Sequence, residues 1–304
     1  MTTMTRTLVI GATGAQGGSV AHHLLASGGH QVRCLTRKPE SSAAIALRDR
    51  GAEVIRGDLN DPVSLRAALH DCDAVFGVTN YWEHGEREIE QGRNLIDAIA
   101  HFDVRHTVLS TLPHTKVLSG GRLEVAHFDS KAHIEEYARG RSLAATYLHV
   151  GFYYENFLSY FPPRRQANGH YLFGFPQGTV PLAAVAVGDI GAIVATILAE
   201  SFWYRDKVIG VVGDDLRPDE YADIMTRLLN RKIEYRYIAH DAYAALPFPA
   251  AADLANMFEF NRLYITNRKA DLAASRELFP AIRGFEQWLR GNTAALQRAM
   301  EANG

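Results

Sequence analysis

Short apolar runs alternate with segments whose apolar residues recur every three or four positions, and this alternation organises the first half of the chain. Thr7–Ile10, Gln31–Thr36, Glu53–Arg56, Ala74–Val78, His106–Ser110 and Ala145–Val150 predict strands. Between them Ser19–Ser27, Ser42–Arg50, Pro62–Leu69, Glu86–His101 and Phe128–Arg139 predict helices, with Asp61 as N-cap and Pro62 in the first turn of the third. Strands joined through helices return to the same end of a sheet and are therefore parallel. Several are near-continuously apolar, as strands buried on both faces should be. The pattern predicts an α/β fold, a Rossmann-type doubly wound parallel sheet whose ligand lies beyond the carboxyl ends of the strands.

The regularity weakens after residue 150. Phe157–Pro163 is rich in exposed-looking aromatics and holds two prolines. Val185–Glu200 reads as a strand end and a helix with Asp189 as N-cap, Lys207–Val212 and Ile233–Ile238 as strands, and Pro218–Asn230 as a helix. The remainder to Gln297 is mostly helical, broken at Pro247, Pro249 and Pro280. The expected organisation is a dinucleotide-binding Rossmann domain over 1–156 and a smaller mixed α/β C-terminal domain over 157–304. The latter serves a substrate or partner, and 185–212 is able to return to the first sheet.

Composition narrows the function classes. The chain has 304 residues, 47% hydrophobic and 22% charged, enough apolar material for a sizeable core. Its 32 basic and 34 acidic side chains leave a net charge of −2, which argues against a nucleic-acid binder that relies on many phosphate contacts. No apolar run is long enough to span a bilayer, and Met1–Arg6 does not open a signal-peptide pattern. Two cysteines, Cys34 and Cys72, make neither a disulfide framework nor a four-thiolate zinc site. The expectation is a cytoplasmic protein without membrane attachment. Thirteen histidines show no convincing metal-ligand spacing, so no metal site is expected; His22, His23 and His84 read as surface or helix residues.

Chemistry begins at Gly11-Ala12-Thr13-Gly14-Ala15-Gln16-Gly17, a G-x-x-G-x-x-G turn that closes a strand and opens a helix. Glycines let backbone N–H groups approach a pyrophosphate, and the helix N-terminus adds partial positive charge. An NAD site usually has a carboxylate at the end of the second strand, for the ribose 2′-OH. Here Thr36-Arg37-Lys38 stands there, and a guanidinium can pair with a 2′-phosphate in a forked contact. NADP(H) is therefore the expected cofactor. Asp58, ending the third strand, is suited to accept from the adenine amino group, with Leu59 packing on the ring; the bland alternative for Asp58 is a turn or cap residue.

Further stretches carry a resemblance. Gly11–Val20, Val78-Thr-Asn-Tyr-Trp-Glu83, Gly121–Lys131 with its Ala-His-Phe-Asp-Ser-Lys ending, Tyr154–Ser159 and Asp253–Phe258 span nearly the whole chain. With these the chain resembles the NmrA-like family of atypical short-chain dehydrogenases/reductases, and in particular its redox-sensing members. The resemblance implies NADP(H) binding, with the glycine turn on the pyrophosphate, Arg37 on the 2′-phosphate, and Asp58 and Leu59 beside adenine. It further implies Thr79, Asn80 and Tyr81 along the middle of the cofactor, Lys131 on the nicotinamide ribose, and Tyr153, Tyr154, Glu155 and Asn156 flanking the nicotinamide. One position departs: Glu90 stands about where a relative's Lys touches the cofactor, and that contact is not carried over.

Catalysis is the open question. The wider superfamily uses Tyr-x-x-x-Lys, in which the Lys lowers the pKa of a proton-relaying Tyr. Here the Lys is Lys131, four residues earlier stands His127, Tyr137 lies on the wrong side, and Ser110 matches the usual Ser by location. Either His127 or Lys131 donates a proton, or Lys131 only binds ribose or pairs with Glu135 while His127 packs. The resemblance places a redox-sensing regulator with weak or no dehydrogenase activity first. An NADPH-dependent reductase of a small quinone, enone, imine or carbonyl acceptor is the alternative. Phe173, Phe175 and Phe248 are candidate walls of a substrate pocket. The expected partners are NADP(H) and either a regulatory protein or a small-molecule acceptor; the oligomeric state stays open, a homodimer included.

Overall fold

The computed structural model describes residues 4–302. Its elements begin β1 (Thr5–Val9), α1 (Ala15–Ser27), β2 (His30–Thr36), α2 (Ser42–Asp49), β3 (Glu53–Arg56), α3 (Pro62–Leu69), β4 (Ala74–Gly77), α4 (Tyr81–His84), α5 (Arg87–Ala100) and β5 (His106–Thr111). There follow α6 (Thr115–Leu118), α7 (Ala126–Gly140), β6 (Ala145–Val150), β7 (Phe152–Tyr153), α8 (Asn156–Ser159), β8 (Arg164–Arg165), β9 (Tyr171–Phe175) and β10 (Leu182–Val185). Then come α9 (Val187–Ala199), α10 (Ser201–Tyr204), β11 (Val208–Val211), β12 (Asp214–Leu216), α11 (Pro218–Leu229) and β13 (Ile233–Tyr237). The chain ends in helices α12 (His240–Ala244), α13 (Ala251–Tyr264), α14 (Lys269–Leu278), α15 (Phe285–Arg290) and α16 (Thr293–Ala302). No described helix is long and apolar enough to cross a membrane.

Contacts divide the chain into two compact units. The first runs to His114 and adds Ala126–His149 and Val187–Ile209; the second takes Thr115–Val125, Val150–Ala186 and the chain from Gly210 onward. The border thus falls at His149/Val150, before the last residue of β6, rather than at 156/157. Hydrogen bonding gives the reason: Gly151 N–H donates to Val211 O at 3.0 Å, and β7 pairs with β10. Thr115–Val125, expected in the first domain, belongs to the second unit, where the Asn256 side chain donates to Glu124 O at 2.9 Å.

The first unit is the expected doubly wound sheet, in strand order β11-β6-β5-β4-β1-β2-β3. The β1–β2, β1–β4, β2–β3, β4–β5 and β5–β6 pairs are parallel. Leu8, Val75, Phe76, Val108, Tyr147 and Leu148 are fully buried along its central strands, which explains the unbroken apolar runs. Asp61 caps α3 as expected, accepting from Val63 N at 3.0 Å. Asp189 does not cap α9; the helix starts at Val187, and Asp189 lies buried in its first turn. Close contact with α1 holds that start in place. Ser19 Oγ donates to Gly188 O and accepts from Gly191 N, both at 3.0 Å. A Cβ on Gly191 would lie 2.2 Å from Ser19 O, so only glycine lets the two helices touch this closely.

The second unit holds two three-stranded sheets, β12-β10-β7 and β13-β9-β8. The run Phe157–Pro163 is less exposed than it reads: Phe157 is fully buried, whereas Tyr160 is 75% exposed. Phe157 packs edge-on to Phe173 and beside Tyr221 and Phe285. Phe175 stacks on Phe258 with centroids 4.4 Å apart. Phe173 and Phe175 are therefore core residues rather than pocket walls, because aromatic faces bury a large apolar area best against one another. Phe248 is 39% exposed.

Both cysteines are buried thiols; burial pushes Cys34 up to about 12. His106 is the more consequential buried group. Its Nε2 lies 2.8 Å from Thr146 Oγ1, whose own proton goes to Tyr204 O at 2.7 Å, so Nε2 is the donor. Its Nδ1 is buried without a hydrogen-bond partner. Burial, with the Arg205 charge nearby, lowers the His106 pKa to about 4. A histidine that is neutral when folded and ordinary when unfolded favours the fold above pH 6.5 and loses that contribution as pH falls toward 4. Unfolding by urea at a series of pH values is expected to show a loss on the order of 3 kcal/mol across that window. The loss shrinks in His106→Asn; an unchanged pH profile in the variant would exclude His106 as its source.

Candidate functional site

The carboxyl ends of β1, β2, β3 and β4 bring most of the expected residues together in the first unit. β1 runs into the glycine turn, where Gly14 N–H donates to Gly11 O at 2.9 Å. α1 opens directly afterward, with Gly14 as an extended N-cap, no side-chain cap and no acidic residue in its first turn. A Cβ on Gly17 would stand 2.3 Å from Gly11 O, so the helix sits on the turn closer than any side chain permits. Ala12 is buried beneath, while Thr13, Gly14 and Ala15 are exposed. A helix start with no side-chain cap and no acidic residue in its first turn is suited to an anion, and this cradle fits a pyrophosphate.

Arg37, just past β2, is half-exposed and bonded to Glu83 at 2.7 Å. That guanidinium holds the Glu83 carboxyl below the usual carboxylate range. Glu83 belongs to α4, the short helix formed by Tyr-Trp-Glu-His, so a salt bridge joins the end of β2 to the segment after β4. Asp58 Oδ1 accepts from the Asn60 backbone and side-chain N–H groups, at 2.8 and 2.7 Å. The backbone bond and the Arg37 charge lower the Asp58 pKa, leaving an ionised acceptor. Leu59 packs against the apolar core, and its carbonyl accepts from Asn94 Nδ2 at 3.0 Å.

Lys131 occupies a closed set of partners. Its ammonium donates to Thr79 O at 2.9 Å, Thr79 Oγ1 at 3.0 Å and Glu88 Oε1 at 2.5 Å. Glu88 is fully buried, and its other oxygen accepts from Ser130 Oγ. Pairing of Lys131 with Glu135 does not occur. Glu135 takes hydrogen bonds from Thr111 at 2.7 Å, Arg139 at 2.8 Å and His149 at 3.1 Å. His127 lies one turn before Lys131 on α7, is 7% exposed, and packs on Trp82 at 4.6 Å and near Tyr81 at 6.3 Å. Asn80 precedes Tyr81 as the N-cap of α4. Ser110 is buried in β5, and the Tyr137 hydroxyl donates to Asp97 at 2.9 Å. Glu90 is exposed on α5.

Tyr153, Tyr154, Glu155 and Asn156 lie in the second unit, at the end of β7 and the start of α8. Tyr154 is fully buried against Phe285 and Trp288. Glu155 accepts from Trp288 Nε1 at 3.1 Å. Tyr153 and Asn156 are partly exposed.

Three side chains of the candidate site are not legible in the sequence. Glu83 sits inside a recognised motif, but nothing in it announces Arg37 as partner. Trp82 covers His127 through helical placement alone. Glu88 is one of several charges in Glu86-Arg-Glu-Ile-Glu90, and spacing does not reveal which of them is buried.

A strand–glycine turn–helix, a cation just past the second strand and a lysine on a helix after the fifth together make up the candidate site. The NmrA-like family model matches residues 3–289, and the chain belongs to that family. An NmrA-like family domain-containing protein of Dictyostelium discoideum is 29% identical over 242 residues, 77% of this chain and 80% of the relative. The NmrA-like family domain-containing oxidoreductase notA of Aspergillus sp. (strain MF297-2) is 33% identical over 250 residues, 75% of this chain and 74% of the relative. Among solved structures, the negative transcriptional regulator NmrA in complex with NADP aligns at TM-score 0.79 with 20% identity, covering 99% of this chain and 98% of that one. The NADPH-dependent quinone oxidoreductase QOR2 of Escherichia coli, complexed with NADPH, aligns at TM-score 0.79 with 20% identity, covering 95% and 99%.

Truncating Lys131 would strand a buried carboxylate. Lys131→Met is expected to cost about 3–5 kcal/mol. Adding Glu88→Gln should return part of that loss, because no charge then stays buried. Urea denaturation of both single variants and the double variant measures the coupling; strictly additive losses would show that the two groups act separately.

Proposed function

We propose that the protein binds NADP(H) and acts as a redox-sensing regulator with little or no dehydrogenase activity. The carrying observation is the state of the proton-relay position: the tyrosine is replaced by a covered His127, and all three Lys131 donors are engaged by Glu88 and Thr79. NADP-bound NmrA, a negative transcriptional regulator of the same fold, supports this reading.

The binding residues fit the cofactor. The turn Gly11–Gly17 and the start of α1 receive the pyrophosphate, and Asp58 and Leu59 border adenine. Thr79, Asn80 and Tyr81 line the middle, and Lys131 serves the nicotinamide ribose by exchanging partners. Family likeness adds Tyr153–Asn156 beside the nicotinamide; the Tyr154 and Glu155 side chains have partners of their own. Arg37 holds the 2′-phosphate, and to do so it gives up Glu83. An anion for anion exchange at one guanidinium releases α4, and that is how occupancy becomes a change of protein surface. The shift can be no larger than the cofactor's differential affinity for the two arrangements. The reader of that surface is a regulatory protein rather than a nucleic acid, given the net charge of −2.

Isothermal titration tests this reading. NADP(H) should bind at least about tenfold tighter than NAD(H), a gap of about 1.4 kcal/mol. Arg37→Ala should erase the preference. Glu83→Gln should tighten NADP(H) alone, because a competing carboxylate is gone. Equal affinity for the two coenzymes in the unaltered protein would overturn the assignment.

Relatives named as oxidoreductases favour a second activity, reduction of a small quinone, enone, imine or carbonyl compound by NADPH. NADPH when bound supplies the hydride; His127, or Lys131 once released from Glu88, supplies the proton to the acceptor oxygen or nitrogen. Following NADPH oxidation across such acceptors separates the two. Turnover that collapses in Lys131→Ala with cofactor affinity retained identifies a reductase, and absence of turnover with every class favours the regulator.

A further inference from the structure

We propose that His114, His133 and Glu136 form a binding site for a divalent transition metal of the zinc class. His114 follows β5 by three residues, while His133 and Glu136 lie about one turn apart on α7, all within the first unit. One ligand atom from each of the three falls within 4.8 Å of the others. His114 Nε2 is 3.7 Å from Glu136 Oε1, and His133 Nδ1 is 3.2 Å from Glu136 Oε2. Ligand atoms at zinc bond lengths in a tetrahedron lie about 3.4 Å apart. The two distances lie near that value but run to different oxygens of Glu136, and the His133 and Glu136 side chains, 44% and 57% exposed, have room to bring one oxygen to both imidazoles.

A second observation concerns which His114 nitrogen is available. Asp129 is buried, with 5% exposure, and its Oδ1 lies 3.1 Å from His114 Nδ1. A carboxylate placed there orients the ring through Nδ1 and leaves Nε2, 3.7 Å from Glu136 Oε1, as the ligand nitrogen. The arrangement is that of a ligating histidine backed by a carboxylate, the usual support of a protein-bound zinc. The rings of His114 and His133 stand nearly perpendicular, 82° apart with centroids at 4.8 Å, so they do not stack across the space. Two imidazoles and one carboxylate suit zinc or cobalt(II), whereas magnesium prefers oxygen ligands and retained water. Water completes the fourth position.

Such an ion would tie the end of β5 to α7, the helix that also carries His127 and Lys131. Asp129, His133 and Glu136 follow one another at four and three residues and share a face; His127 and Lys131 lie on another. The metal would therefore act as a clamp on the helix, apart from the cofactor residues. In sequence His114 stands well before His133 and forms no recognisable ligand motif with it, so only the fold brings the set together.

Cobalt(II) titration of the full chain, freed of metal with EDTA, tests the site by visible absorption. One equivalent should give the intense bands of a tetrahedral cobalt centre, zinc should displace it, and magnesium in excess should not. His133→Ala should abolish the signal, Glu136→Gln should weaken binding at least tenfold, and Asp129→Asn about 10–100-fold. Because His133 and Glu136 are exposed, their variants should keep the circular dichroism and the NADP(H) titration of the unaltered protein. Lack of stoichiometric cobalt or zinc binding would overturn the proposal, as would binding unchanged in both His133→Ala and Glu136→Gln. Neither outcome bears on the coenzyme assignment, which a separate titration decides.

Discussion

A buried ammonium–carboxylate pair governs this site. Lys131 on α7 reaches Glu88 on α5 and Thr79 at the end of β4, and so pins three elements at one point. Neither charge tolerates that depth alone, since desolvation in the interior outweighs what water would give back. With Ser130 on the second carboxylate oxygen, the arrangement satisfies every polar group it buries there. The first chemical property of the site is therefore an ion pair that must be exchanged before Lys131 can touch anything else.

Arg37 and Glu83 repeat the theme nearer the surface, where exchange is easier. Both side chains are close to half-exposed, so water screens the bridge and its net worth is small. A doubly charged phosphate competes well against a single screened carboxylate. The deep pair is shielded from water and the shallow pair is screened by it, and the short helix α4 sits between the two with Trp82 resting on His127.

Legibility in the sequence followed the range of the forces involved. The β-α alternation, the glycine turn and the Asp61 cap depend on neighbours within a few residues, and each is visible in the chain. Arg37 could be singled out because a carboxylate is absent where one is usual. Glu88 could not, because its partner stands 43 residues away and its neighbours on α5 carry similar charges. Asp189 has the residue type of an N-cap, but tight contact of Gly191 with Ser19 extends the helix past it. The second unit was least legible: its strands are two to five residues long, too short for a two-residue period to emerge, and its core is built from aromatic pairs whose partners lie far along the chain.

The nucleotide-type sheet is assembled from three separate stretches of chain, and its edge strand β11 and covering helix α9 are the last of them. On the ribosome, β1–β6 are synthesised before residues 187–209. Until then α1 lacks the helix that Gly191 presses against it, and one flank of β6 has no neighbour. The nascent chain thus carries an incomplete sheet through most of its synthesis, with an unpaired edge open to wrong partners. Proteolytic nicking between Val150 and Ala186 would leave fragments that have to reassociate before that edge could close again.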